Sequence, residues 1–107
     1  MPSINDSRKT VTTNIPSIPG SVVEMWDELT VGDAEIVERI ESNMAKGVKT
    51  AELLIKSWNL EEPVTPENVR RLSTKDFEHL MGATKMGKDA MKSIEDQQEV
   101  NRQKKTA

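Results

Sequence analysis

The sequence predicts a small, mainly helical α+β protein: a short N-terminal β-strand or hairpin, then three to four small helices, with flexible termini. Three observations predict this class. Residues 15–20, IPSIPG, hold two prolines and a glycine, which favour a turn over a helix. Beyond residue 30, apolar residues recur every three or four positions, as on one face of a helix. Both ends of the chain are polar.

The length and composition predict one small domain with polar extensions. The chain has 107 residues, of which 35% are hydrophobic and 31% charged. Segments poor in apolar groups cannot offset the entropy lost on ordering. We therefore expect a flexible arm at 1–14, a globular domain at 15–84, and a polar helix or disordered tail at 85–107.

Charge and cysteine usage limit the possible functions. The net charge is −3 and basic residues are mixed with acidic ones, which argues against a nucleic-acid partner. The absence of cysteine excludes disulfides, thiolate zinc sites and thiol nucleophiles. No apolar run has the length of a signal peptide or of a membrane span of about 20 residues, so we expect a soluble cytoplasmic protein without a membrane partner.

The first predicted element is a strand within residues 21–29, SVVEMWDEL, where apolar and acidic residues alternate imperfectly. It can pair with Val11–Ile15 through the Pro-Gly turn. A two-stranded ribbon is marginal alone and must pack on helices. Trp26 lies in this edge-like segment among Glu24, Asp27 and Glu28, so we expect it to be partly exposed.

Two helices are expected next. The first runs from the capping residue Thr30 to Gly47, with an apolar stripe at Ala34, Val37, Ile40 and Met44. The second begins at Thr50 and ends after Trp58; Ala51, Leu54, Ile55 and Trp58 follow the i, i+3, i+4, i+7 pattern. Asn59, which tolerates the left-handed conformation, and Pro63 end it.

Two further helix starts are marked by capping residues. The first start is at Thr65, whose hydroxyl can cap the helix. Pro66 follows at the first helical position, and Glu67 places an acid in the first turn. Ser73 and Asp76 resemble a capping box, and the apolar side of the helix that follows is Phe77, Leu80 and Met81. We expect Trp58 to pack in the core with Leu54, Ile55, Val69, Leu72 and Phe77.

The C-terminal segment carries a thinner stripe of Ala83, Met86, Ala90 and Ile94, weakened by Gly82 and Gly87. We expect residues from about 88 onward to be mobile in the free protein and to become ordered against another subunit or a partner. Met86 and Met91 suit that role because their side chains adapt to irregular apolar surfaces. The alternative is a disordered terminus without function.

No catalytic or cofactor constellation is found in the sequence. GATKMGKD, residues 82–89, has phosphate-loop spacing, but Asp89 stands where Ser or Thr is needed and the preceding FEHLM predicts a helix. His79 is the single histidine, expected on the surface, and has no second imidazole for a metal site. We therefore expect no enzyme activity, no cofactor and no metal.

A helix-turn-helix is the alternative hypothesis. TPENVRRLSTKDF could supply half of such a unit, with Arg70 and Arg71 reaching phosphates. The simpler interpretation is that both arginines form the solvated face opposite Val69 and Leu72.

The stretch LIKSWNL, followed by a short acidic turn and PVTPENVRRLSTKDFEHL, resembles the tail assembly chaperones of long-tailed, siphovirus-type bacteriophages. The resemblance covers about residues 20–82, including LTVGDAEIVE at the first helix. It implies a non-enzymatic late protein of the host cytoplasm, absent from the virion, that keeps the tape measure protein soluble and helps recruit tail tube protein. In many relatives a frameshift makes a longer form.

For such a protein the expected partner-binding residues are Trp26, Met81, Met86, Met91 and Ile94. A homo-oligomer is also compatible with this role. The Trp58 junction would then be structural, holding a partner groove in shape.

Overall fold

The structure is a computed structural model that describes residues 4, 7–92, 94 and 96. Within them it has three strands and five helices, which is consistent with the predicted α+β class. The strands are β1 (Thr10–Thr13), β2 (Val23–Trp26) and β3 (Ile55–Trp58). The first four helices are α1 (Val31–Glu38), α2 (Asn43–Leu54), α3 (Pro66–Arg70) and α4 (Thr74–Met81). A fifth helix, α5, begins at residue 85 and includes 85–92, 94 and 96.

The three strands form one antiparallel sheet in the order β1-β2-β3. β1 pairs with β2 in the register Thr10 with Trp26 through Thr13 with Val23, which confirms the predicted hairpin pairing. The predicted arm at 1–14 was too long, because its residues 10–13 belong to the sheet. The turn between the strands uses Gly20 at φ +82°, a left-handed conformation that glycine adopts without strain.

β3 replaces the end of the predicted second helix. Its pairing with β2 shifts by one residue, so that Ser57 faces Glu24 while Ile55, and not Lys56, faces Met25. In a regular strand, residues three apart point to opposite faces. Because Lys56 is the extra residue of this bulge, Ile55 and Trp58 both lie on the side of the buried Met25. The three-residue spacing of Ile55 and Trp58, which predicts a helix, is therefore also compatible with this bulged strand.

The predicted first helix is two helices. α1 ends at Glu38, and α2 begins after Ser42, whose hydroxyl accepts a hydrogen bond from the N–H of Ala45 at 3.3 Å. Gly47 therefore lies inside α2 and does not close a helix. Thr50 is not a cap either; it is buried in α2 and donates to the Lys46 carbonyl at 2.7 Å. The break lets α2 turn its own buried face toward the sheet independently of α1.

The two downstream helix starts are confirmed. Thr65 accepts from the N–H of Asn68 at 3.2 Å, with Pro66 as the first helical residue of α3. Ser73 accepts from the N–H of Asp76 at 3.1 Å and begins α4. α5 begins in the same way, since Thr84 accepts from the N–H of Gly87 at 2.9 Å.

The core lies between the inner face of the sheet and helices α2 to α5. Its fully buried large side chains are Ile15, Val23, Met25, Leu54, Val69, Leu80 and Met81. Ile94 of α5 is also buried, at 4% exposure, and Met86, Ala90 and Met91 pack against the core. α5 corresponds to the helix alternative expected for residues 85–107, but the core extends beyond the expected residue 84 because Ile94 is part of it. Residues 88–92 are helical, and their mobility in the free protein stays a prediction; residues 93, 95 and 97–107 lie outside the described part.

Candidate partner-binding groove

An apolar groove opens between α2, α3, α4 and α5. Its volume is about 390 Å³. It is lined by Met44, Val48, Val69, Arg70, Leu72, Thr74, Phe77, Glu78, Met91 and Ile94. Val48, Val69 and Ile94 are buried and form the floor, whereas Met44 is 49% exposed at the rim. The groove exists because each of these helices turns its apolar side inward without closing the space between them.

The groove and an adjoining cleft together are lined by more positive than negative charge. A smaller cleft of about 240 Å³, lined by Glu78, Gly82, Lys88, Met91 and Lys92, shares Glu78 and Met91 with the groove. The two spaces therefore form one continuous surface along α4 and α5. Arg70 lines the groove, and Lys88 and Lys92 line the smaller cleft. Glu78 is the acidic residue that lines both.

A separate cleft of about 350 Å³ lies between α1 on one side and α2 and α5 on the other. Ala34 and Val37 of α1 face Gly47, Met86 and Ala90 across it. None of the eight described residues of α1 is buried. α1 therefore packs only loosely on the core. The cleft exists because this loose packing leaves space between α1 and the helices α2 and α5.

The five predicted partner-binding residues differ in burial and do not lie at one site. Met81 is fully buried and Ile94 is 4% exposed, so both support the core, although Ile94 also lines the groove floor. The prediction that Met81 contacts a partner is wrong, because helix α5 covers it. Met91 is half-buried and lines the groove, whereas Met86 is half-buried and lines the cleft beside α1.

Trp26 lies away from the groove, on the outer face of the sheet, and is partly exposed as predicted. The Arg8 guanidinium lies 4.0 Å from the ring centroid, and the Lys56 ammonium lies 4.9 Å from it. Arg8 also donates to the Glu28 carbonyl, and Lys56 pairs with Glu24 at 3.4 Å. Cation–π contacts therefore already occupy this indole.

Trp58 and Asn59 hold the junction after β3. Trp58 is half-buried and packs against the core, less deeply than predicted, and its Nε1 donates to the Glu62 carbonyl at 2.7 Å. Asn59 accepts from the N–H of Val22 at 2.8 Å and donates to the Gly20 carbonyl at 2.9 Å. Asn59 does not adopt the left-handed conformation expected for a helix end, because its φ is not positive.

Asp76 and His79 connect α4 to the hairpin. The Ser17 hydroxyl and N–H donate to the Asp76 carboxylate, and the Asp76 N–H donates to the hydroxyl of Ser73, which caps α4. The Ser17 hydroxyl is the largest cause that lowers the pKa of Asp76, against an opposing effect of burial. His79 is exposed, as predicted, and its Nε2 lies 3.1 Å from both Thr13 Oγ1 and Asn14 Oδ1.

The segment with phosphate-loop spacing is a helix junction. It joins α4 to α5, and Gly87 packs on the backbone of Met81. No strand precedes it, so the context of a phosphate loop is missing. Across the described residues, no group of three or more His, Cys, Asp or Glu side chains could hold a metal ion.

Of the ten residues that line the groove, the sequence predicted only Met91 and Ile94 as partner-binding, and Met44 and Val48 are among those it missed. The sequence predicts Met44 on the apolar stripe of one long helix, but the break at residues 39–42 places it in α2, at the rim of the groove. The available signal was the serine at 42, a residue that often caps a helix.

Comparison with protein-family models, with curated proteins and with solved structures found no match. Within the described part of the chain, no helix is long and apolar enough to cross a membrane.

Proposed function

We propose that this protein is a tail assembly chaperone of a long-tailed bacteriophage. In this role it binds the tape measure protein in the host cytoplasm, keeps it soluble until tail tube protein assembles around it, and performs no catalysis. The apolar groove between α2, α3, α4 and α5 carries the proposal, and the sequence resemblance over residues 20–82 supports it.

The groove suits a helical segment of a partner better than a small polar ligand. Its lining side chains are mostly aliphatic, aromatic or methionine, and charged groups stand at its margin. An amphipathic helix lays its apolar face into such a groove through side chains spaced three and four residues apart. Met44 and Met91 can adjust to different apolar side chains, which suits repeated binding along one long partner.

The proposal is tested by co-expressing this protein with the tape measure protein and measuring the soluble fraction of the latter. Wild type should raise that fraction. Met44→Glu should abolish the effect, because it places a charge at the apolar rim. The fold should tolerate this change, because residue 44 is exposed and lies in the first turn of α2, where an acid is favourable.

Ile36→Glu is the matched control. Ile36 is 44% exposed, close to the 49% of Met44, but it lines none of the clefts described above. It should behave like wild type. Equal loss in both variants, or no solubilisation by wild type, would contradict the proposal. Binding of random duplex DNA at low salt would instead support the alternative of a DNA-binding regulator.

A further inference from the structure

The groove and the smaller cleft beside it differ in charge from the protein as a whole. The chain has a net charge of −3. The charged residues that line these two spaces are Arg70, Lys88 and Lys92, with Glu78 as the acid. A partner that spans both spaces therefore meets a locally positive margin on an acidic protein.

The two lysines are placed to act together. Lys88 and Lys92 are exposed and lie four residues apart, which puts them on one face of α5. Met91 lies beside them and lines both the groove and the smaller cleft. The apolar lining of the groove is therefore adjacent to two positively charged side chains. Asp96, the next residue on that face, is exposed and lines neither space.

We infer that the groove takes an amphipathic helix of a partner protein whose apolar face is flanked by acidic residues, with those acids beside Lys88 and Lys92. This inference rests on the proposed function and specifies the segment that is bound. Apolar contacts supply most of the affinity, while the cations select and orient the helix. An exposed ion pair changes a dissociation constant by roughly fivefold or less.

Two synthetic helical peptides test the inference. They share one apolar face of leucines spaced three and four residues apart, and they differ in carrying glutamates or lysines beside it. Fluorescence anisotropy gives the dissociation constants at about 50 mM and about 500 mM salt. The acidic peptide should bind at least about fivefold more tightly at low salt, and this preference should shrink at high salt.

Single charge reversals locate the effect on α5. Lys88→Glu and Lys92→Glu should each weaken binding of the acidic peptide by about fivefold. Lys85→Glu changes the charge equally on the same helix, but Lys85 lines neither space, so it should change binding less than about twofold. All three side chains are exposed, and circular dichroism should show unchanged folding.

The outcomes separate this inference from the proposed function. Equal affinity for both peptides, lost in Met44→Glu, would overturn the charge preference and leave the groove as the binding site. Binding of neither peptide would count against the groove itself, and so against both proposals. Self-association that Met44→Glu abolishes, measured by sedimentation, would assign the groove to a second copy and overturn the inference.

Discussion

Gly47 of α2 lies directly against Ile94 of α5. A Cβ on Gly47 would come closer to Ile94 Cδ1 than the 3.0 Å below which real Cβ contacts essentially never occur. The Phe77 ring would lie 3.8 Å from the same Cβ. The absence of a side chain at Gly47 therefore sets how closely the C-terminal helix approaches the core.

This contact predicts coupling between the two positions. Gly47→Ala should destabilise the protein by about 1–2 kcal/mol through overpacking. Ile94→Val removes Cδ1, so the double variant should recover part of that loss. Urea unfolding of the four proteins gives the coupling energy, expected at about 1 kcal/mol. Strictly additive effects would show that Ile94 does not pack on Gly47.

Gly87 makes a tighter contact, because its neighbour is backbone. A Cβ there would lie within 3.0 Å of the Met81 carbonyl and Cα, which cannot move aside as a side chain can. Gly87→Ala should therefore cost about 2–3 kcal/mol, despite the better helix propensity of alanine.

Gly32→Ala is the control for that variant. Apart from its chain neighbours and the backbone of α1, no atom lies within 4 Å of the Cβ that it would add, so it should stabilise the protein by about 0.5 kcal/mol. Thermal unfolding of both variants measures the contrast, and a similar stability change in the two would contradict the packing at Gly87.

The contact between Ser17 and Asp76 predicts pH-dependent stability. The Ser17 hydroxyl holds the pKa of Asp76 below its ordinary value, so this interaction stabilises the fold fully above about pH 4. Its contribution is lost as the pH falls through the lower folded-state pKa. Ser17→Ala should reduce the Tm at pH 7, and the difference from wild type should shrink in acid.

Ser7→Ala controls for the loss of a serine hydroxyl elsewhere, since Ser7 is exposed near the start of the described chain. Its Tm should follow wild type at every pH. A constant Tm difference for Ser17→Ala from pH 7 into acid would show that the Asp76 carboxylate is not involved.

Asn59 ties the end of β3 to the start of β2. Asn59→Ala removes both side-chain hydrogen bonds, to the Val22 N–H and the Gly20 carbonyl, and should cost about 1–2 kcal/mol. Asn59→Asp keeps the acceptor and loses the donor, so its stability should be intermediate. Urea denaturation measures both; an alanine variant as stable as wild type would show that water replaces these bonds without cost.

Trp58 combines packing with one hydrogen bond. Trp58→Phe loses the bond from Nε1 to the Glu62 carbonyl and should cost about 1 kcal/mol. Trp58→Ala also loses packing and should cost about 2–3 kcal/mol, less than a fully buried tryptophan. Urea unfolding followed by circular dichroism gives both values, and equal costs for the two variants would mean that packing contributes little.

Local sequence chemistry determined the elements whose signals lie within a few residues. Thr65, Pro66 and Ser73 predicted the starts of α3 and α4, because a capping hydroxyl satisfies N–H groups of its own helix. The Pro-Gly turn predicted the pairing of β1 with β2, which are close in sequence. The partial exposure of Trp26 followed from its acidic neighbours.

The candidate site depended on contacts between distant segments. Its floor joins Val48, Val69 and Ile94 from three helices, and no local pattern brings these residues together. The sequence predicted Met91, which lines this groove, together with Met81, which is buried, since whether α5 covers α4 depends on the close approach at Gly87.

The sequence by itself determined the starts of α1, α3 and α4 and the pairing of β1 with β2, because each depends on residues close together in the chain. Only the tertiary structure decided that Ile55–Trp58 is a strand. Ile55 and Trp58 share one face in a helix, and they also share one face in a strand that carries a bulge at Lys56. Periodicity cannot distinguish the two; pairing with β2, about thirty residues earlier in the chain, selects the strand.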